Sequence, residues 1–305
     1  MPWVVENYRR QVDLLAAVGD DNVPCARLTT GTHLYAAAFG CQVHRFVDNN
    51  PCAVPCVRTP EEADRLPEPS VWSSPALYRC FELAAKVQEA LGPDAYLGPP
   101  DVQSGFDTAS LIWNKEEFLI ALVDEEQAPA ARRLIAKCAR LLKGFLYEFR
   151  KAFPRCSACH CPNAWAPPDM GPWLSNDECG SLSVELFESF CLPELVDLST
   201  TFGGLGMHCC ADAEHQFASF RKIPDFYAFN RVPARRGFDT ILEPFGGPAA
   251  PLHVIAWIQE ADIERLITRA SPGTRFLFEL SGVTDAGEAR RWLERVRRIP
   301  TPGVG

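Results

Sequence analysis

The feature that most constrains this 305-residue chain is the rhythm of its last third, where short apolar runs alternate with helical stretches. Leu205 to Cys209 reads as a strand, Ala213 to Phe220 as a helix and Asp225 to Phe229 as a strand. Another strand falls at Thr240 to Leu242 or at Leu252 to Ala256. Then come a helix at Glu260 to Thr268, a strand at Thr274 to Leu280 and a helix at Ala286 to Arg298. Apolar strands of about four to seven residues, each followed by a helix, predict a parallel sheet covered by helices.

Upstream the pattern is less regular. Val4 to Val18 reads as a helix stopped by Gly19, and Asn22 to Leu28 as a strand. Val43 to Val47 and Ala53 to Val57 read as a short hairpin. Ser74 to Leu91 is an amphipathic helix, and Ala95 to Gly98 is a short strand opening into the loop Pro99 to Asp107. Helices follow at Thr108 to Trp113, Glu116 to Val123 and Pro129 to Phe149. Residues 154–181 are loop-rich, and Leu182 to Phe202 is helical, with Ser183 as N-cap and Pro193 as a kink or restart.

Parallel strands with helical crossovers leave an open doubly wound sheet or a closed barrel. No Gly-x-Gly-x-x-Gly follows the first strand and no Gly-Lys-Ser/Thr phosphate loop is present, so the nucleotide-binding form of the open sheet has no support. A barrel places its chemistry on the loops after the strands. Here those loops carry Pro100 to Gln103, His208 to Asp212, Asn230-Arg231 and Glu279 to Gly282.

Charge and cysteine content narrow the partners. With 30 Lys+Arg against 39 Asp+Glu, the net charge is −9, the wrong sign for tracking nucleic-acid phosphates. No apolar run approaches the roughly 18 residues of a membrane span, and no basic-then-apolar leader opens the chain. Thirteen cysteines in a chain of this size predict reduced thiols in a cytoplasmic protein rather than a disulfide framework. Cys80 and Cys138 read as core residues within helices.

The order of motifs resembles the superfamily of uroporphyrinogen decarboxylase and the cobalamin-linked, zinc-dependent methyltransferases. The likeness is carried by AAAFGCQV (36–43), PDVQSGFDTASLIWNKEEFLIALVDEEQAP (100–129), LSNDECGSLSVELFESFCLPELVDLSTTFGG (174–204), MHCC (207–210) and FLFELSG (276–282). It implies one (β/α)8 TIM-type barrel domain over 1–305, with its site at the C-terminal mouth of the strands. Because the chain opens on a helix, the first barrel strand is expected to be absent or not included. The decarboxylases' Arg-rich first-strand loop has no evident counterpart. Residues 24–35 contain no acid where those enzymes keep an essential Asp, so true uroporphyrinogen decarboxylation is not expected.

On the methyltransferase side, His208 and Cys210 match the His-x-Cys zinc motif, but no cysteine follows Cys210 to complete it. Alternate residues at a strand end project to one side, so both can face the mouth as metal ligands. The alternative is that they merely line it. Glu279, Asp212 or a cysteine from the 156–161 loop could supply a third ligand. The loop itself, Cys156-x2-Cys159-x-Cys161, could hold a soft metal or carry incidental cysteines. Asp101, Gln103, Asp177 and Glu279 are candidate catalytic residues, with a helix cap for Asp101 and a solvated turn for Asp177 as the plainer readings. His33, His44 and His253 read as ordinary histidines.

The expected activity is corrinoid-linked zinc-type methyl transfer, using a small-molecule substrate and a corrinoid protein as partner. Decarboxylation of a tetrapyrrole or other acid, or non-catalytic binding of a corrinoid or tetrapyrrole, are the alternatives.

Overall fold

In the computed structural model, residues 1–28, 30–162, 164–232, 237–279 and 285–300 are described. The chain opens with α1 (Pro2–Val18), closed by left-handed Gly19, and passes into β1 (Cys25–Arg27). After α2 (Leu34–Ala38) come β2 (Gln42–His44) and β3 (Cys52–Val54), which pair antiparallel as the expected hairpin, in shorter form. Then follow α3 (Pro60–Arg65), α4 (Pro75–Leu91) and β4 (Tyr96–Gly98). The Ser74 hydroxyl accepts the Leu77 N–H to start α4, whose Leu77, Phe81, Ala84 and Val87 form the buried stripe.

Next are α5 (Gly105–Ile112), α6 (Lys115–Val123), α7 (Ala128–Ala152) and β5 (Trp173–Ser175). The remainder is α8 (Val184–Phe190), α9 (Leu192–Phe202), β6 (Leu205–Cys209), α10 (Phe217–Phe220), β7 (Phe226–Arg231), β8 (Leu252–Ala256), α11 (Glu260–Arg269), β9 (Phe276–Glu279) and α12 (Ala286–Arg297). Pro193 does restart the helix: lacking an N–H, it fits the unpaired first turn of α9.

Strands β5 to β9 form one parallel sheet in sequence order, and β1 pairs in parallel with β4. Residues 155–158 stitch the two groups together. The Ser157 N–H donates to Leu97 O at 2.7 Å, and the Trp173 N–H donates to Ala158 O at 3.2 Å. Every residue of β6 is buried, which is why this strand reads as a continuous apolar run. A Cβ at Gly206 would strike the Trp173 ring, so glycine there lets the indole lie on the neighbouring strand. One large apolar cluster runs from Val4 to Ala270, and a smaller one gathers Cys159, Ala166, Trp173, Ala228 and Val254.

Two expectations need correction, and one open alternative is decided. β5 lies within the segment 154–181 expected to be loop; three residues after Pro172 are too few to show any periodicity. Residues 239–241 form a helical turn, leaving Leu252–Ala256 as the strand. α5 starts at Gly105 rather than Thr108, because Ser104 caps it through the Asp107 N–H. Leu280 to Gly282, expected at a strand end and its loop, fall outside the described residues. No helix is long and apolar enough to cross a membrane.

Candidate functional site

The carboxyl ends of β5, β6 and β7 bring together four side chains around one imidazole. His208, the fourth residue of β6, is buried at 3% exposure. Its Nδ1 lies 2.5 Å from Asn230 Oδ1 on β7, the residue paired with it across the sheet. Asn230 Nδ2 donates to Val254 O at 2.6 Å, which turns its amide oxygen toward the ring. The His208 proton is therefore held on Nδ1, and Nε2 faces the mouth.

Three donors surround that nitrogen. Cys210 Sγ lies at 2.8 Å, Cys161 Sγ at 3.8 Å and Asp177 Oδ1 at 3.9 Å. Burial alone would lower the His208 pKa, but the Cys161 and Cys210 sulfurs and the Asp177 charge outweigh it and raise the group to about 12.

Asp177 is fixed from below. Asp107, buried in the first turn of α5, accepts the Asp177 N–H at 2.7 Å and the Glu178 N–H at 3.2 Å. Asp177 Oδ1 in turn accepts the Cys210 N–H at 2.6 Å, clamping the end of β6. Asp177 is thus more than a solvated turn residue.

Asp177, His208 and Cys210 offer ligand atoms all within 4.8 Å of one another, the one such grouping among the described residues. Zinc lies about 2.0–2.3 Å from its ligands, so two tetrahedral ligands stand roughly 3.4–3.8 Å apart. The three donors fit an ion after shifts of about an ångström, and an imidazole, a thiol and a carboxylate are the donor types zinc takes.

Two of the third-ligand candidates read from the sequence, Asp212 and Glu279, go elsewhere. Asp212 pairs with buried Arg231 at 3.9 Å, beside Glu214. Glu279 ends β9 with its Oε2 buried and without a hydrogen-bond partner among the described residues; burial raises its pKa and the Arg27 charge opposes the shift. Of the three loop cysteines, Cys161 reaches the cluster and the other two do not. Cys159 packs with Ala166, Trp173, Ala228 and Val254, and Cys156 is buried in the main core.

Asp101 is no helix cap, since Ser104 takes that role. Its N–H is held by Thr30 Oγ1 at 2.8 Å, and Gln103 Nε2 donates to its carboxylate at 2.5 Å. Gln103 also pairs with Ser175 at the end of β5. Burial raises the Asp101 pKa, while Gln103, Arg27 and His208 pull it down and Asp177 adds to the rise. Asp101 and Gln103 therefore stand beside the His208 cluster.

Arg27 and Asp107 are not singled out by the sequence, and Asn230 stands out only as part of the Asn230-Arg231 loop. Arg27 ends β1, and its charge is felt by Asp101, Glu279 and His160. A lone Arg in a three-residue strand carries no spacing signal. His160 is buried, accepts the Val102 N–H on Nδ1 at 3.5 Å and meets Ser175 Oγ at 3.3 Å. Burial, with the charges of His208 and Arg27, keeps it neutral by pushing its pKa well below the usual histidine value. His253 binds Phe245 O at 2.8 Å, the satisfied histidine expected of it. A separate cavity, lined by Tyr96, Arg150, Arg155 and Asp169, opens at the starts of the strands, away from these groups.

No family model matches the chain, and no curated protein matches it. Among solved structures it is similar to a methyltransferase from Methanosarcina mazei, with a TM-score of 0.61 and 12% identity, over 95% of this chain and 84% of that one. At that identity the likeness speaks for a shared mixed α/β fold with parallel sheets.

Proposed function

We propose that this protein is a zinc-dependent methyltransferase of the uroporphyrinogen decarboxylase and cobalamin-linked methyltransferase superfamily. In this reading a methyl group passes from a corrinoid on a partner protein to a small thiol. The observation that carries it is the meeting of His208, Cys210 and Asp177 at the ends of β5 and β6.

The fold belonging to this reading is a (β/α)8 barrel that begins at β1. In its favour, β1, β4, residues 155–158 and β5 to β9 supply eight parallel segments. β1 and β9 are the edges of that series among the described residues, and Arg27 at the end of β1 acts on Glu279 at the end of β9. No missing first strand is then needed.

His208, Cys210 and Asp177 would hold the zinc, which when bound lowers the pKa of an incoming thiol and keeps it as a nucleophile. The chain does the positioning. Asn230 presents the free Nε2 of His208. Asp107 holds Asp177 against the Cys210 backbone. Asp101 and Gln103 offer a carboxylate and an amide beside the cluster to orient a polar acceptor. Buried His160 holds Ser175 Oγ at 3.3 Å.

A second reading, an acid substrate as in the decarboxylases, is favoured by Arg27, whose guanidinium can grip a carboxylate in two-point fashion. The two separate in one assay. Protein purified without chelator is mixed with methylcobalamin and small thiols, and demethylation is followed by absorbance. Thiol-dependent demethylation, lost in His208→Ala and Cys210→Ala, supports methyl transfer. Zinc-free protein with no demethylation contradicts it.

A further inference from the structure

The 156–161 loop places one of its three thiols, and only one, against the His208 cluster. Ser157 Oγ accepts the N–H groups of Cys159 at 3.3 Å and of Ala166 at 3.0 Å, folding the loop back on itself. Cys159 Sγ donates inward to Pro162 O at 3.5 Å. Cys161, half-buried between these anchors, points the other way, with Sγ 3.8 Å from His208 Nε2. That separation is close to the roughly 3.6 Å expected between a nitrogen and a sulfur bound to the same tetrahedral zinc ion. The distance from Cys210 Sγ to the same nitrogen, 2.8 Å, falls short of it, so ion entry would spread the Cys210 side outward.

Cys161 also stays outside the tight three-way grouping of Asp177, His208 and Cys210. It touches the hub of the site without belonging to its clamped part. Asp177 is tied to the Asp107 carboxylate and to the Cys210 backbone N–H, and His208 to Asn230, whereas among the described residues no hydrogen bond other than that to His208 holds the Cys161 sulfur. A donor so placed can reach an ion at little cost to the surrounding structure.

We propose that Cys161 is the fourth ligand of the metal site. The inference rests on the zinc reading above. It also accounts for a His-x-Cys motif with no later cysteine, because the second sulfur comes from an earlier loop.

Cobalt(II) substituted into the full chain tests this, since the sulfur-to-cobalt absorption grows with each bound thiolate. Wild type should show two thiolates, and Cys161→Ser and Cys210→Ser one each. Cys161→Ser with undiminished absorption would overturn the inference while leaving the zinc reading standing. Cobalt binding with no thiolate absorption in wild type would overturn both. Zinc X-ray absorption on unmutated protein, expected to show two sulfurs rather than one, decides the matter independently of how Cys161→Ser folds.

Discussion

One oxygen of Asp177 serves two parts of the site: Oδ1 accepts the backbone N–H of Cys210 at 2.6 Å and faces His208 Nε2 at 3.9 Å. The segment after β5 and the end of β6 are thereby locked in register. The donors are close because the backbone is tied, and the tie runs down through Asp107 into α5.

Replacing Asp107 should loosen that tie. Asp107→Asn would put an amide N–H against one of two backbone N–H groups, leaving a buried donor unpaired at a cost of about 1–3 kcal/mol. Urea unfolding should show this loss, and metal affinity should fall with it. Unchanged unfolding and affinity would mean that Asp177 holds its place without Asp107.

Asn230 touches the ring but no proposed ligand position. Asn230→Leu removes the acceptor that fixes the proton on Nδ1, and should weaken zinc binding by about 10–100-fold. Competition with a chromophoric chelator measures it. Unaltered affinity in a folded variant would show that the tautomer is set by something else.

Glu194 offers a pH test away from the metal. It is buried on α9 against the first turn of α5, accepting the Phe106 N–H at 3.0 Å. Desolvation raises its pKa to about 8 against an ordinary 4.5, the Phe106 and Gly105 N–H groups opposing the shift. A raised folded-state pKa means that the native protein holds this proton more tightly than the unfolded chain does. The contribution is fully present below about pH 4.5 and is lost as pH rises through about 8, roughly a few kcal/mol in all. Glu194→Gln should therefore gain on wild type between pH 5 and pH 9. A constant difference across that range would contradict the assignment.

A close thiol pair, Cys41 and Cys56, flanks the hairpin, with sulfurs 3.3 Å apart. The hydrogen bond from Cys41 lowers the Cys56 pKa to about 7 despite some burial. Alkylation of exposed Cys56 should inflect near that pH, and Cys41→Ala should move the inflection up toward the ordinary thiol range. An inflection unmoved by the substitution would mean that Cys41 is not the cause.

The legible parts of this molecule are those whose signal is local. Leu205 to Cys209 is a buried parallel strand and reads as an unbroken apolar run; Pro193 announces its helix restart by chemistry alone. His208 and Cys210 stand out because two positions along a strand end share a side. Asp177 could be suspected but not explained, since its partner Asp107 lies 70 residues away and looks like any acid in a first helical turn. Asn230, His160 and Arg27 draw their roles from neighbouring strands, and β5 is too short to declare itself. Pairing across strands, not spacing along one, decides which of these polar residues meet.

The most direct test is the zinc content of chain purified without chelator, compared with His208→Ala. The account predicts close to one zinc per wild-type chain and almost none in the variant. Wild-type protein that takes up no zinc, or a His208→Ala variant that retains it in full, would contradict it.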